Sequence, residues 1–372
     1  MDKIFPAFEE NNIAIVMTSS DFYSPYIGVL LSSIIENSSK NNNYDILVLQ
    51  SDISEINKIM LRSIISNKIN FSLRFIDVSF IMDKYSFDIS NPRLTKYTFY
   101  RLTIYEILTE YGKVVYFDSD IVVNADVAEL YNYNISDFFL GACKDVRMAV
   151  WYTLKPHVRE YNEKVLQLKE PYNYFNAGVV LYNLEVMRQS FTTEYLLKMS
   201  ASRSWHTVDQ DVLNLECAGR VVFLPYEWNI TTLTSDEYEK ELPDEICQAY
   251  YAARENPKAI HYVGGSLPCN KPEADMYHYF WKYARNTPFY ELILSRMIDG
   301  IAIQQTESIL YSIDKMINES TKCTANNKNT KAIWLENMLF KQQIKDKFMP
   351  MVNVFLPKGT KRREIVKHIF IR

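Results

Sequence analysis

Lys113-Val-Val-Tyr-Phe-Asp-Ser-Asp-Ile-Val-Val123 is the most informative stretch of this 372-residue chain. A short apolar run, Lys113 to Phe117, leads directly into two aspartates spaced i and i+2. In open α/β sheets, ligands bind just beyond the carboxyl ends of the strands. Two carboxylates placed there can converge on one hard cation when the chain turns, and such a cation bridges phosphate oxygens. Standing alone, Asp118-Ser119-Asp120 reads equally as a solvated turn, because Asp-x-Asp arises often by chance.

Upstream of this stretch, Ile13–Met17, Asp45–Leu49 and Phe71–Ile76 are similar short runs rich in strand formers. Between them, Tyr26–Ile35 and the Ile56, Ile59, Met60, Ile64 pattern read as helices, as does Thr98–Leu108. Short apolar strands alternating with helices predict βαβ units and a parallel sheet. Downstream, Phe138–Ala142 and Ala177–Leu181 read as strands added antiparallel to that sheet. Val221–Leu224 and Ala259–Val263 are further short strands, and from Ala274 the pattern turns helical and aromatic, through Tyr290–Ile303. Thr324–Asn329 is a polar break, and no repeat period is present.

Three more polar clusters sit at element ends. His261 follows a strand-like run and precedes Gly264-Gly265, where it reads as a nitrogen ligand to the same cation or as a histidine hydrogen-bonded at a strand end. Asp209-Gln210-Asp211 opens an apolar helical segment, for which an ordinary helix cap is the plain reading. Asn176-Ala177-Gly178 precedes an apolar run and reads as a turn.

Composition narrows the class. A 48% hydrophobic content with 27 Tyr and 20 Phe supports a sizeable core. The cysteines, Cys143, Cys217, Cys247, Cys269 and Cys323, are odd in number and form no CxxC pair, which fits a reducing compartment. Met1–Asn12 lacks the apolar core of a signal peptide, and no uncharged run is long enough to span a bilayer. The expected location is cytoplasmic. Lys341–Arg372 carries nine Lys/Arg against two acidic residues, a net +7 within a whole-chain net of −4. The remaining body is therefore acidic, which disfavours nucleic acid as a partner. Phe348–Leu356 with the basic run Lys358–Arg363 reads either as a peripheral contact with an anionic membrane, on the inner face of the plasma membrane, or as a docked helix with a solvated basic face.

Taken in order, Phe117-Asp-Ser-Asp-Ile-Val-Val123, Phe175-Asn-Ala-Gly-Val-Val-Leu-Tyr-Asn-Leu184, Asp209-Gln-Asp-Val-Leu-Asn214 and His261-Tyr-Val-Gly264 resemble the motifs of family 8 glycosyltransferases. This retaining group includes bacterial lipopolysaccharide galactosyl- and glucosyltransferases. The resemblance runs from about Ile13 to Leu294. Ala284–Glu291 and Leu356–Glu364 also resemble segments of bacterial members.

The resemblance implies an α/β GT-A fold, with a Rossmann-like mixed central sheet flanked by helices and a helical C-terminal extension. It implies a catalytic domain over 1–295, with a nucleotide-sugar half to about 125 and an acceptor half over 126–295, followed by the helical, basic region 296–372. Asp118, Asp120 and His261 would bind Mn²⁺, or Mg²⁺ in its place. Thr18, Ser19, Ser20 and Tyr23 would line uracil and ribose, and Arg101 and Ser119 would lie beside the donor. Asn176, Ala177, Asp209 and Gln210 would surround the transferred sugar, with Asn176, Asp209 and Gln210 as the catalytic set. Gly264 and Lys271 would meet the diphosphate. The partners implied are a UDP-sugar donor, carrying glucose or galactose, and a glycan or glycolipid acceptor.

Two departures stand out. Ser20-Asp21-Phe22 replaces the family's acidic pair and Asn, and Leu267-Pro268 stands where the family has Lys-Pro-Trp, with Lys271-Pro272 following. The Asp118 motif also resembles the nucleophile loop of haloacid-dehalogenase-type phosphatases, but that leaves His261 and Asp209-Gln210 without roles. A non-catalytic sugar-binding protein is the third reading. It gives no reason for the complete set of candidate ligands to be present together.

Overall fold

Strand β1 (Asn12–Thr18) alternates between two cores. Ile13, Ile15 and Met17 pack with Ile27 and Leu30 of the helix Ser24–Asn37 on one face. Ala14 and Val16 pack with Phe99, Tyr100 and Leu102 on the other. A strand apolar on both faces must be covered on both, which is the condition for a buried parallel sheet. Each fully buried Ile, Val or Leu adds about 1.5–3 kcal/mol to the drive for this arrangement.

The computed structural model describes residues 3–87, 96–232 and 240–301. The chain divides into two compact units, Met1–Ile301 and Ala302–Arg372. The second unit, with the polar break, Cys323, most of the expected helical extension and the basic tail, lies outside the described residues. Among them, the cysteines Cys143, Cys217, Cys247 and Cys269 form no disulfide.

The first unit is built on a seven-stranded sheet of order β3-β2-β1-β4-β7-β6-β8. β2 (Asn43–Gln50), β3 (Phe71–Asp77) and β4 (Lys113–Phe117) run parallel to β1. β7 (Phe175–Asn183) joins β4 antiparallel, pairing Phe117 with Val179, and β6 (Leu140–Lys144) joins β7 antiparallel. β8 (Val221–Phe223) closes the edge parallel to β6. A small second sheet, β5-β10-β9, is formed by β5 (Ile121–Val123), β10 (Ala259–His261) and β9 (Ile230–Thr231).

Three sequence expectations shift. Thr98–Leu108 is not one α-helix: Lys96–Thr103 is a 3₁₀ segment and only Ile104–Ile107 is α-helical. The tighter winding stacks residues three apart, so Thr98 and Arg101 face the same way. The strand expected at Ala259–Val263 stops at His261, because Val263–Gly265 coils into a 3₁₀ turn. The strand expected at Phe138–Ala142 is displaced to Leu140–Lys144. Among the described residues, no helix is long and apolar enough to cross a membrane.

Candidate active site

Asp118, Ser119 and Asp120 form the turn between β4 and β5, beside the carboxyl end of β1. The Asp118 N–H donates to the Gly178 carbonyl at 2.8 Å, which continues the β4–β7 ladder one residue past the strand. Antiparallel pairing of β5 with β10 sets His261 opposite Ile121, and the Tyr262 N–H donates to the Asp120 carbonyl at 3.0 Å. Residues 140 or more positions apart are thus held in one turn's reach.

Candidate ligand atoms of Asp118, Asp120 and His261 lie within 4.8 Å of one another. His261 Nε2 is 3.1 Å from Asp120 Oδ1 and 3.8 Å from Asp118 Oδ2. Asp118 Oδ1 is engaged elsewhere, accepting from Arg101 Nη2 at 2.7 Å and from the Tyr116 hydroxyl at 2.8 Å. Its Oδ2 stays available to a cation. Two carboxylates and one imidazole suit Mn²⁺ or Mg²⁺ type ions, so the residues present fit a divalent metal. His261 is buried, and burial by itself lowers a histidine pKa. The carboxylates of Asp120 and Asp118 outweigh that effect and raise it.

The ring of His261 lies against Gly178, where an added Cβ would come within 2.5 Å of Nδ1. The same nitrogen, Nδ1, is 3.2 Å from Asn229 Oδ1.

Arg101 ties the turn to the Asp209 segment. Its guanidinium is 95% buried, reaches Asp118 at 2.7 Å and Asp209 Oδ2 at 2.8 Å, and donates to the Ala177 carbonyl. It also stacks over the Tyr116 ring, 4.4 Å from the centroid. Burial alone would lower the Arg101 pKa; the Asp118 and Asp209 carboxylates reverse this and raise it. Asp209 accepts from the Thr98 hydroxyl. Burial pushes its carboxyl up to about 6, against the opposing pull of Arg101.

Asp209 is not the ordinary cap its position predicts, since it is the first helical residue and its carboxylate faces Arg101. Asp211 accepts the Thr207 N–H at 2.9 Å instead. The preceding Val208 has φ 48°. A β-branched residue in that region stores about 1–3 kcal/mol of strain, here where the chain turns Asp209 inward.

Thr18, Ser19, Ser20 and Tyr23, expected at the nucleoside, line one cleft with Arg101, Asp118, Ser119 and Asp120. Tyr97 and Thr98 line it as well, and the Tyr97 hydroxyl donates to Asp52 at 2.7 Å. Asn176 and Gln210 meet around Asp145, whose Oδ2 accepts from Asn176 Nδ2 at 3.0 Å and Gln210 Nε2 at 3.2 Å. The Ala177 N–H donates to Gln210 Oε1 at 2.9 Å. Gly264 lies in the turn that follows His261. Lys271 is exposed and is not among the cleft-lining residues.

Sequence reasoning missed Tyr97, Asp145 and Asn229. Asp145 carries a visible signal as the cap of the helix Val146–Leu154, whereas Asn229 carries none, being placed by the pairing of β9 with β10.

A sequence profile of glycosyl transferase family 8 matches residues 14–271. A candidate glycosyltransferase of Haemophilus influenzae is 29% identical over 61% of this chain and 66% of its own length. The lipopolysaccharide 1,2-glucosyltransferase of Escherichia coli is 28% identical, over 53% of each chain. Among solved structures, the WbbM bifunctional glycosyltransferase superposes with a TM-score of 0.71 at 32% identity, covering 79% of this chain and 53% of that one. The galactosyltransferase LgtC, solved with donor and acceptor sugar analogues, gives a TM-score of 0.62 at 22% identity over 74% and 96%. This chain therefore spans half to two-thirds of several relatives. The seven-stranded mixed sheet with helices on both faces is the GT-A fold, and the chain belongs to glycosyl transferase family 8.

Proposed function

We propose that this protein transfers glucose or galactose from a UDP-sugar to a bacterial surface glycan or glycolipid, with retention of configuration. The observation that carries the reading is the convergence of Asp118, Asp120 and His261 beside a cleft walled by Thr18–Ser20 and Tyr23. Asp118, Asp120 and His261 would hold Mn²⁺, with Mg²⁺ as a substitute, and the bound cation would offset the charge developing on the departing diphosphate.

The chain's own residues do the rest. Thr18, Ser19, Ser20 and Tyr23 orient the nucleoside. Arg101 keeps Asp118 Oδ1 and Asp209 in place from one rigid guanidinium fork, which two separate lysine-type contacts would not reproduce. Asn176 and Gln210, both bonded to Asp145, face the sugar, and Asp209 adds negative potential near an oxocarbenium-like anomeric carbon. Gly264 and Lys271 would approach the diphosphate from the segment after β10. The proposed catalytic unit is 1–295, divided near residue 125, with 296–372 as an accessory region. Its basic tail is proposed to meet an anionic membrane surface on the cytoplasmic side. Truncation after Lys347 is then expected to lower binding to anionic liposomes while sparing turnover.

The test is UDP release from UDP-glucose and UDP-galactose, with Mn²⁺ or with EDTA. Release from one donor, lost in EDTA and in Asp120→Asn, is the expected result. Undiminished release in both conditions would sink the metal assignment. Turnover of a phosphate monoester without UDP release would favour the phosphatase alternative.

A further inference from the structure

Asn229 carries no part of the reaction as set out above, yet its side chain is 97% buried between two groups that do. Its Nδ2 is 2.9 Å from Asn176 Oδ1 and its Oδ1 is 3.2 Å from His261 Nδ1. The direction of these bonds is settled from the far end. The backbone N–H of Gly178, which can only donate, points at Asn176 Oδ1 at 2.9 Å. That atom must therefore be the amide oxygen. At its other end Asn176 gives Nδ2 to the Asp145 carboxylate at 3.0 Å, consistent with the same orientation. An oxygen at Asn176 requires a donor from Asn229, which turns the Asn229 oxygen toward the imidazole. An amide oxygen only accepts, so His261 Nδ1 must carry the hydrogen. Nε2 is then the nitrogen that faces Asp120 and Asp118.

Geometry fixes the relay as firmly as polarity. Asn229 immediately precedes β9, whose parallel pairing with β10 places Thr231 beside His261. Gly178 leaves room for the ring.

We infer that Asn229 is a positioning residue. It relays the hydrogen-bond polarity set by the Gly178 N–H to His261, holds the Nδ1–H tautomer, and presents Nε2 to the cation proposed at Asp118 and Asp120. The cation rests on the function proposed above; the tautomer is a property of the protein alone. A ligating histidine held by its second nitrogen in this way binds metal more tightly, and loss of such a partner costs about 10–100-fold in affinity.

The decisive measurement is the long-range ¹⁵N–¹H spectrum of the histidine rings in metal-free protein. His261→Gln identifies the resonance among the chain's five histidines. A hydrogen on Nδ1 is expected in the wild type, with Nε2 bare or also donating to Asp120; a bare Nδ1 with the hydrogen on Nε2 alone would overturn the inference. Two variants separate positioning from simple packing. Asn229→Leu keeps the volume but removes both bonds, and is expected to lose the Nδ1–H preference and weaken Mn²⁺ binding about 10–100-fold, read from free Mn²⁺ by EPR. Asn229→Asp keeps an acceptor toward Nδ1 but gives up the donor to Asn176 Oδ1, and is expected to retain the hydrogen on Nδ1 and to lose less affinity than Asn229→Leu. A folded Asn229→Leu protein with unchanged tautomer and affinity would refute the role. Should that variant fail to fold, the wild-type spectrum and Asn229→Asp still decide it. A wild type with Nδ1–H that binds no Mn²⁺ would overturn the metal reading and uphold the tautomer assignment.

Discussion

Replacing Gly178 by alanine changes one hydrogen into a methyl group and tests the packing on which the His261 geometry depends. The backbone of Gly178 needs no left-handed conformation, since the glycines with positive φ among the described residues are Gly219 and Gly265. Alanine is therefore acceptable to the strand, and any effect comes from what the new Cβ meets. It would press first on His261 Cε1, and would lie 2.5 Å from Nδ1 and 3.0 Å from Asn176 Oδ1. Carbon sits about 3.5 Å from a nitrogen or carbon in contact, so the ring must retreat by at least about 1 Å. Metal–ligand distances tolerate only about 0.2 Å, so a retreat of that size removes His261 from the ligand set. Mn²⁺ affinity is expected to fall by about 100-fold or more, and UDP release by a similar factor. The fold should lose only about 1–3 kcal/mol, the usual cost of one overpacked methyl group. Mn²⁺ titration by EPR, UDP-release kinetics and thermal melting read the three quantities separately. A folded Gly178→Ala protein with wild-type affinity and rate would refute the packing argument. Gly219→Ala is the contrast: its Cβ meets nothing within 4 Å, but φ is 77°. It should cost about 1 kcal/mol of stability through backbone strain alone and leave metal binding intact.

Arg101→Lys should fold poorly and lose most activity. A lysine supplies one point charge where the guanidinium contacts Asp118, Asp209 and the Ala177 carbonyl, and an underpaired buried charge costs about 3–5 kcal/mol; chemical denaturation with UDP-release kinetics checks both effects. Asp209 gives a pH prediction. Its folded pKa of about 6 lies above the ordinary 3.8, so the protonated form is favoured by folding. The contribution is complete below about pH 4 and lost as pH rises through about 6, a linked change of order 3 kcal/mol. Asp209→Asn mimics the neutral group and should flatten stability against pH across that window, and an unchanged slope in urea melts would show that Asp209 titrates elsewhere. Lys271→Ala should raise the KM for the UDP-sugar if the exposed lysine folds over the diphosphate, and a KM equal to wild type would remove it from the site.

How much of this was readable in advance depended on the range of the interaction. The βαβ pattern of the first half was legible because strands such as β1 and β4 are apolar on both faces, a property stored in consecutive residues. Asp118 and Asp120 were legible for the same reason, being two residues apart at a strand end. Thr98–Leu108 was misread because its apolar spacing is compatible with either helix type. The 3₁₀ winding brings Thr98 and Arg101 together onto Asp209, more than 100 residues away, a contact that local spacing does not encode. Asp145 and Asn229 were missed because their roles lie in bonds to Asn176, Gln210 and His261.

The sequence by itself determined the class of fold, the order of the polar motifs and the kinds of chemical group available to the site. Hydrophobic periodicity and residue type are local, and local information survives in a linear string. Only the tertiary structure decided which carboxylate oxygen stays open to a cation, why Gly178 must lack a side chain, and which nitrogen of His261 faces the aspartates. Those choices depend on strand pairing and on a chain of directional hydrogen bonds running from Gly178 through Asn176 and Asn229. Distance and direction of that kind exist only once β4, β7, β9 and β10 are brought together.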